Sequence, residues 1–246
     1  GIYNYIMKTM NTKEMIIDSV KYSLNGKKDF IFFGFLLWSI SFIIYITNEY
    51  SILGILLFIP ISIFLFIEGG YIATIIESTL FGSDTHPEFK NIKDLIWRGI
   101  KELLILLVYS TIPIIVLIIA IFEIIIFSDD ISTLILLIMF IFSLFFSLVI
   151  MQSAIIHYEY KHSKLRTAFE IKTILKKLKN MGFSNLISSF SLVLLFTLII
   201  QPTLSDISEN MHPLISIIMN FTILPFLAVF SARFTGLIGR YHFKED

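Results

Sequence analysis

Two charged residues lie inside long apolar stretches, where a charge needs a physical reason. Glu68 follows the run SILGILLFIPISIFLFI and precedes Gly69-Gly70-Tyr71, and Arg233 lies in the last apolar stretch. A lone charge inside a bilayer is costly. We therefore weigh three interpretations: a polar site or gate that a substrate or proton engages, an ion pair that locks two helices, or an arginine that reaches the headgroups.

A second group of polar residues comes near the ends of two other apolar stretches. Gln152, His157 and Glu159 end one stretch, and Glu77 ends another. Positions two apart point to opposite faces of a helix, so His157 and Glu159 fit solvation at the membrane surface better than a metal site or proton relay. Together, the candidate binding or gating residues are Glu68, Arg233, Gly70, Tyr71, Glu77, Gln152 and His157.

The sequence contains no motif typical of hydrolysis, nucleotide binding or phosphate chemistry. There are no cysteines, which excludes disulfides, thiolate metal ligands and cysteine nucleophiles. We therefore predict no catalytic residue, no metal site and no cofactor.

Composition indicates a membrane protein. The 246 residues are 56% hydrophobic, with a mean hydropathy of +0.85, and a soluble domain rarely reaches such values. We predict an all-α integral membrane protein with one domain over residues 1–246. Prolines at positions 60, 113 and 225 fall inside the predicted spans, which are 30–47, 51–80, 103–127, 131–157, 183–200 and 213–241.

Three amphipathic helices are predicted outside the spans, over residues 11–25, 91–101 and 164–181, and we expect the second to lead directly into the third span. Asn11 with Glu14, and Thr167 with Glu170, have the spacing of a capping box. Helices of this kind can lie in the membrane surface. The first 28 residues hold five Lys and no apolar core, so we expect no cleavable signal peptide.

Basic and acidic residues lie on opposite sides of the predicted bundle. Of the 19 Lys and Arg, 18 lie in the segments that hold the amphipathic helices and near the C-terminus, and the opposite loops carry five acidic residues and no Lys or Arg. The positive-inside rule therefore places both termini in the cytoplasm of a multi-pass protein of the cell membrane. We expect the basic helices to attract anionic lipid headgroups.

The order of elements in residues 11–82 returns in residues 164–241. Each unit has an amphipathic helix, a span, an acidic turn and a long span with a proline, and Glu68 and Arg233 occupy matching positions. We interpret this as a parallel internal repeat, although any hydrophobic chain with amphipathic connections looks partly self-similar. Membrane folds with repeats often place their working site at the repeat interface.

Several short motifs resemble one family of membrane proteins. They are Gly70-Tyr71, Pro87-Glu88-Phe89 and Gly99-Ile100-Lys101, followed by Tyr109 and Pro113. This pattern resembles an archaeal family, common in methanogens, that is catalogued only as a domain of unknown function. The resemblance covers residues 65–113 most closely. It implies a six-span fold in an archaeal cytoplasmic membrane and implies no activity.

Three classes of function remain open from the sequence. The first is a non-enzymatic transporter-like protein or a subunit of a membrane complex. The second is the permease of an ATP-driven exporter, with residues 87–101 as the helix that contacts the ATPase. The third is a lipid-handling or lipid-modifying protein that uses Glu77, His157 or Glu159.

The expected partners are the lipid bilayer and either a cytoplasmic protein or a second copy of the chain, and no nucleic acid. The partner-docking candidates are Pro87, Glu88, Phe89, Trp97 and Arg98.

Overall fold

The structure is a computed structural model that describes residues 10–26, 28–126, 130–210 and 213–243. The predicted turn at Ser128-Asp129, the end of the third predicted span at Phe127, and the two chain termini lie outside the described residues. The described part of the chain forms helices and no strand. Six of its apolar segments are long enough to cross a membrane, which confirms the predicted helical membrane class.

The first helices follow the sequence closely. Helix α1 spans Thr12–Leu24. The Asn11 side chain accepts a hydrogen bond from the Glu14 amide and the Glu14 carboxylate accepts one from the Asn11 amide, so the predicted capping box is confirmed. Helix α2 spans Lys28–Glu49, and helix α3 spans Ser51–Leu80 without a break at Pro60.

The middle of the chain follows the prediction up to the fourth span and differs after it. The helix predicted at 91–101 leads directly into the third span, as expected, and the two form one helix, α4, which spans Ile92–Ile126. Helix α5 spans Asp130–Tyr160. A short 3₁₀ turn, Leu165–Phe169, then precedes α6, Ile171–Met181. The predicted capping box at Thr167 is wrong, because Glu170 begins α6 without a side-chain cap.

The last two spans are interrupted. Helix α7, Phe183–Leu195, continues as a π-helical segment, Phe196–Ile200, and then as α8, Gln201–Asn210, where the sequence predicted a loop. Helix α9, Pro213–Phe221, is followed after Thr222 by α10, Ile223–His242. Pro225 lacks an amide hydrogen, which explains a helix break just before it.

Helix α10 lies at the centre of the bundle. Half of the apolar window of the last span is buried, against 11% to 28% in the other five. Helix α10 packs against α3 and α1, while α4 packs between α3 and α5. Large apolar side chains on α2 to α5 point outward, as expected for surfaces that face lipid. We call the end of the bundle that holds α1, residues 81–91 and residues 161–182 the basic end.

Candidate functional site

A large cavity lies between α3, α4, α5, α10 and the π-helical segment, and we call it the lateral cavity. Its volume is about 630 Å³. Phe58 and Leu106, which line it, are 67% and 41% exposed, so the cavity opens onto the lipid-facing surface. Most of the wall is apolar, and its polar side chains are Ser62, Glu102, Gln152, Thr197, Gln201, Ser231 and Thr235.

A second cavity, of about 330 Å³, adjoins the first, and we call it the Glu68 cavity. It lies between α2, α3, α8 and α9, and Glu68 is on its wall. Leu65, Thr197 and Gln201 line both cavities, so the two spaces meet at these side chains. The remaining polar side chains of the Glu68 cavity are Ser41, Ser205 and Asn220.

The π-helical segment Phe196–Ile200 contributes Thr197 to the walls of both cavities. π-Helical turns are rare and are often found at functional sites. The Thr197 hydroxyl donates to the Val193 carbonyl at 2.8 Å, and the Phe196 ring lies 4.8 Å from the Phe230 ring. The wider turn therefore presents Thr197 and Gln201 at the junction of the cavities while Phe196 holds the segment against α10.

Asn220 organises the far side of the Glu68 cavity. It is fully buried, and its amide nitrogen donates to the Ser216 carbonyl at 2.9 Å and to the Ser208 hydroxyl at 3.2 Å. Its side-chain oxygen accepts a hydrogen bond from the Ser41 hydroxyl at 3.1 Å. These contacts tie α2, α8 and α9 together without using Glu68.

A charged network lies beside the lateral cavity, toward the basic end of the bundle. Arg98 donates to the Glu77 carboxylate, and its Nη1 lies 3.9 Å from Oε2 of Glu159. Glu159 is fully buried, and its Oε2 accepts a hydrogen bond from the Ser163 hydroxyl at 2.9 Å. Lys101 donates to the Ser163 carbonyl at 3.1 Å. Arg98, predicted as a docking residue, therefore joins α3, α4 and α5.

Arg233 does not pair with Glu68. Its Nε donates to Asp18 at 2.8 Å, its Nη2 donates to Asp84 at 2.8 Å, and its Nη1 donates to the Ser83 carbonyl at 2.6 Å. The hypothesis of an ion pair between Glu68 and Arg233 is wrong, because both carboxylates that meet the guanidinium belong to the basic end. Arg233 also does not reach outward to headgroups, since its side chain is 2% exposed.

Two aromatic side chains complete the surroundings of Arg233. Its guanidinium lies 4.5 Å from the ring centre of Tyr22, and the His86 ring stacks on Tyr22 at 4.2 Å. Burial raises the pKa of Tyr22 to about 12, although Arg233 opposes that shift. Burial lowers the pKa of His86, and the nearby Arg233 charge adds to that effect. Both groups are therefore neutral at pH 7.

His157 and Glu159 are not solvated at a surface, contrary to the prediction. Their side chains are 1% and 0% exposed. They do point apart, as the spacing indicated. Nε2 of His157 lies 3.0 Å from Glu170 and its Nδ1 lies 3.4 Å from Nζ of Lys177, whereas Glu159 faces Arg98. Hydrogen bonding to His157 lowers the pKa of Glu170.

Gly70 and Tyr71 lie in the packing between helices. A Cβ atom on Gly70 would overlap the backbone carbonyl of Leu95, so α3 and α4 approach each other closely at this point. Tyr71 is 1% exposed, its ring lies 4.8 Å from Phe89, and its hydroxyl donates to the Pro87 carbonyl at 3.4 Å.

The other docking candidates do not form one surface. Phe89 packs on Tyr71, and its amide donates to Asp29 at 3.0 Å. Glu88 pairs with Lys90 in an exposed position. Trp97 is 61% exposed on the outer face of α4. Pro87 and Phe89 are thus held against the bundle, while Glu88 and Trp97 stay accessible.

One family model matches residues 52–208, which is more than half of the chain, and its description is "Protein of unknown function (DUF4013)". The chain belongs to the DUF4013 family. The match covers α3, α4, α5, α6, α7, the π-helical segment and most of α8. No curated protein and no solved structure matches the chain.

The DUF4013 region contains Glu68, Glu77, Arg98, Glu102 and Glu159, whereas Asp18 and Arg233 lie outside it. Sequence reasoning did not single out Glu102, Asn220 or Gln201. A signal for Glu102 was present, because Arg98 and Glu102 are four residues apart and share one face of a helix. Asn220 and Gln201 carried no comparable signal. Among the described residues, no group of His, Asp or Glu side chains could hold a metal ion.

Proposed function

We propose that the protein is a non-enzymatic, transporter-like membrane protein that binds a lipophilic cation in the lateral cavity. The observation that carries this proposal is the meeting of two cavities at Thr197 and Gln201, with Glu102 on the wall of one and Glu68 on the wall of the other. The volume of the lateral cavity fits a small organic molecule.

The chemistry of the walls supports a cationic ligand. An apolar wall favours a hydrophobic body, and a carboxylate inside it favours a positive charge, because an ionised carboxylate in a low-dielectric space is stabilised by a cation. Glu77 and Glu159 share Arg98, whereas neither Glu68 nor Glu102 forms an ion pair with another described residue. The opening toward lipid offers a route for a ligand that partitions into the membrane.

The two alternatives have less support. Residues 92–101 are continuous with α4 and do not form the separate helix that an exporter permease would present to an ATPase. A lipid-modifying enzyme would need Glu77, His157 and Glu159 at one cavity, but His157 faces Glu170 and Lys177. Lipid handling without chemistry remains compatible with the lateral opening and is distinguished by the experiment below.

We further propose that the protein lies in the cell membrane of an archaeon with both termini in the cytoplasm, since 18 of the 19 basic residues fall in segments on one side of the spans. In this arrangement α1 and α6 are amphipathic helices near anionic headgroups, and residues 11–82 and 164–241 form a parallel repeat. A homo-oligomer or a cytoplasmic partner that contacts Trp97 also fits this arrangement.

The experiment compares two ions of matched size and opposite charge. Purified protein in lipid nanodiscs is titrated with tetraphenylphosphonium and with tetraphenylborate, against empty nanodiscs. We expect saturable binding of the cation only, weakened at least about tenfold by Glu102→Gln and by Glu68→Gln, a loss of about 1.4 kcal/mol for each.

Glu123→Gln is the matched control, because Glu123 is also a carboxylate within a span but accepts a hydrogen bond from Ser132 and does not line either cavity. Equal loss of binding in this control would contradict a role for the cavities. Two results would contradict the binding of a cation and favour lipid handling instead. One is stronger binding of the anion than of the cation, and the other is a co-purified phospholipid that blocks the binding of both ions.

A further inference from the structure

Three carboxyl groups and two cationic side chains lie close together beside the lateral cavity, toward the basic end of the bundle. Glu77 comes from α3, Glu102 from α4 and Glu159 from α5, and the cations are Arg98 and Lys101. If all five groups are charged, one negative charge is in excess. Neutralising one carboxyl group therefore balances the network.

The contacts indicate which carboxyl group is neutral. Arg98 donates to Glu77 and lies 3.9 Å from Glu159. Glu159 also accepts a hydrogen bond from Ser163, whose carbonyl accepts one from Lys101 at 3.1 Å. Both cations are thus directed toward Glu77 and Glu159, either directly or through Ser163.

Glu102 lies in a less favourable place for a negative charge. Its Oε1 is buried and, like Oε1 of Glu159, has no hydrogen-bond partner among the described residues, but Glu159 keeps the hydrogen bond from Ser163 at its Oε2. A Cβ atom on Gly69 would lie 3.7 Å from its Oε2, so the bare backbone of α3 faces this carboxyl group. Glu159, 3.9 Å from Arg98, brings a second negative charge into the same network. An unpaired buried carboxylate beside another carboxylate favours protonation.

We propose that Glu102 is a proton-binding site and that a cation entering the lateral cavity displaces this proton. The carboxylic acid of Glu102 releases one proton and the resulting carboxylate pairs with one cation, so charge is conserved. The titratable and charged groups around this site are Arg98 on α4 and Tyr158 and Glu159 on α5, while Glu77 and Lys101 join the same network through Arg98 and Ser163. The displacement step rests on the proposed function, whereas the proton site itself does not.

The test is infrared spectroscopy of the full chain in nanodiscs, in H₂O and in D₂O, over a pH titration. A Glu68→Gln background removes the carboxyl group that faces the adjoining Glu68 cavity. We expect the C=O band of a protonated carboxylic acid, which shifts in D₂O, disappears in Glu102→Gln and remains in Glu123→Gln. Glutamine has the shape of glutamate, and the melting temperature confirms that each variant is folded.

A second variant tests the neighbouring charge. Glu159→Gln removes the carboxylate beside Glu102, so the band should titrate with a midpoint at least about one pH unit lower, a tenfold lower proton affinity. A band that survives Glu102→Gln and is lost in Glu159→Gln would overturn the assignment. Absence of the band from the folded protein at every pH would also overturn it.

Addition of tetraphenylphosphonium separates the two proposals. We expect the band to disappear and one proton to be released for each cation bound, measured in weak buffer. If the carboxylic acid band is present but no cation binds, the proton site is supported and the proposed function is rejected. Cation binding without the band would reject the proton site and leave the proposed function. Binding with no proton release would reject the displacement.

Discussion

The guanidinium of Arg233 on the last helix lies 2.8 Å from the carboxylate of Asp18 on the first. The two residues are 215 positions apart in the sequence. The same guanidinium donates to Asp84, which follows α3. A single side chain therefore joins the beginning, the first third and the end of the chain at the basic end, where α10 packs against α1 and α3.

Replacement of Arg233 should destabilise the whole bundle. Arg233→Met removes the hydrogen bonds to Asp18 and Asp84 and the contact with Tyr22, and we expect a loss of about 2 kcal/mol in the free energy of unfolding, because water can hydrate the two carboxylates left behind. Arg233→Lys should lose less stability, because it keeps the positive charge. Some loss remains, since lysine lacks the several N–H donors of the guanidinium. Thermal unfolding in nanodiscs measures both. Arg166→Met, at an exposed arginine, is the control, and an equal loss there would contradict the prediction.

The adjacent glycines Gly69 and Gly70 should respond differently to alanine. The new Cβ atom would overlap the Leu95 carbonyl in Gly70→Ala but would lie at an ordinary 3.7 Å from its neighbours in Gly69→Ala. We expect Gly70→Ala to cost about 3 kcal/mol and to lower the melting temperature, since α3 and α4 must separate. Gly69→Ala should be as stable as the original chain or slightly more stable. Similar melting temperatures for the two variants would show that the helices are not in close contact.

His86 should make the stability of the protein depend on pH. Its Nε2 lies 2.7 Å from the Tyr22 carbonyl, its Nδ1 is buried, and its pKa is lowered from the ordinary value of 6.5. The unfolded chain therefore binds the proton more tightly than the folded protein, so the stabilisation is present above pH 6.5 and is lost as the pH falls below that value.

His86→Phe keeps an aromatic ring for stacking on Tyr22 and removes the titration. We expect the difference in unfolding free energy between the two proteins to change in favour of the variant between pH 7 and about pH 5. Denaturant titrations at several pH values measure it. A difference that stays constant with pH would mean that His86 is free to take up a proton in the folded protein.

The hydrogen bond from Ser41 to Asn220 should stabilise the packing of α2 on α9. Ser41→Ala removes a hydrogen bond between two helices, whereas the hydroxyl of Ser39 donates to the Phe35 carbonyl of its own helix. We expect Ser41→Ala to cost about 0.6 kcal/mol and Ser39→Ala almost nothing. Asn220→Leu should cost more than either, because it removes the acceptor for the Ser41 hydroxyl and the donor to the Ser208 hydroxyl. Melting temperatures of the three variants give the order.

Features that depend on neighbours in the sequence were predicted well. Apolar runs of membrane length indicated the six spans, and the spacing of Asn11 and Glu14 indicated the start of α1. Both are local properties, since a backbone in lipid must satisfy its own hydrogen bonds and a capping box spans four residues. The capping box at Thr167 failed because Glu170 finds a better partner in His157, which the local spacing does not reveal.

The sequence by itself determined that Glu68 and Arg233 are charges inside apolar segments, and it indicated a helix for each. Only the tertiary structure decided that Arg233 meets Asp18 and Asp84 while Glu68 faces a cavity. Depth along a helix follows from counting residues, but the partner of a buried charge depends on how the helices rotate and pack against each other. That rotation is set by many apolar contacts that are spread over the whole chain, such as the close approach of Gly70 to Leu95.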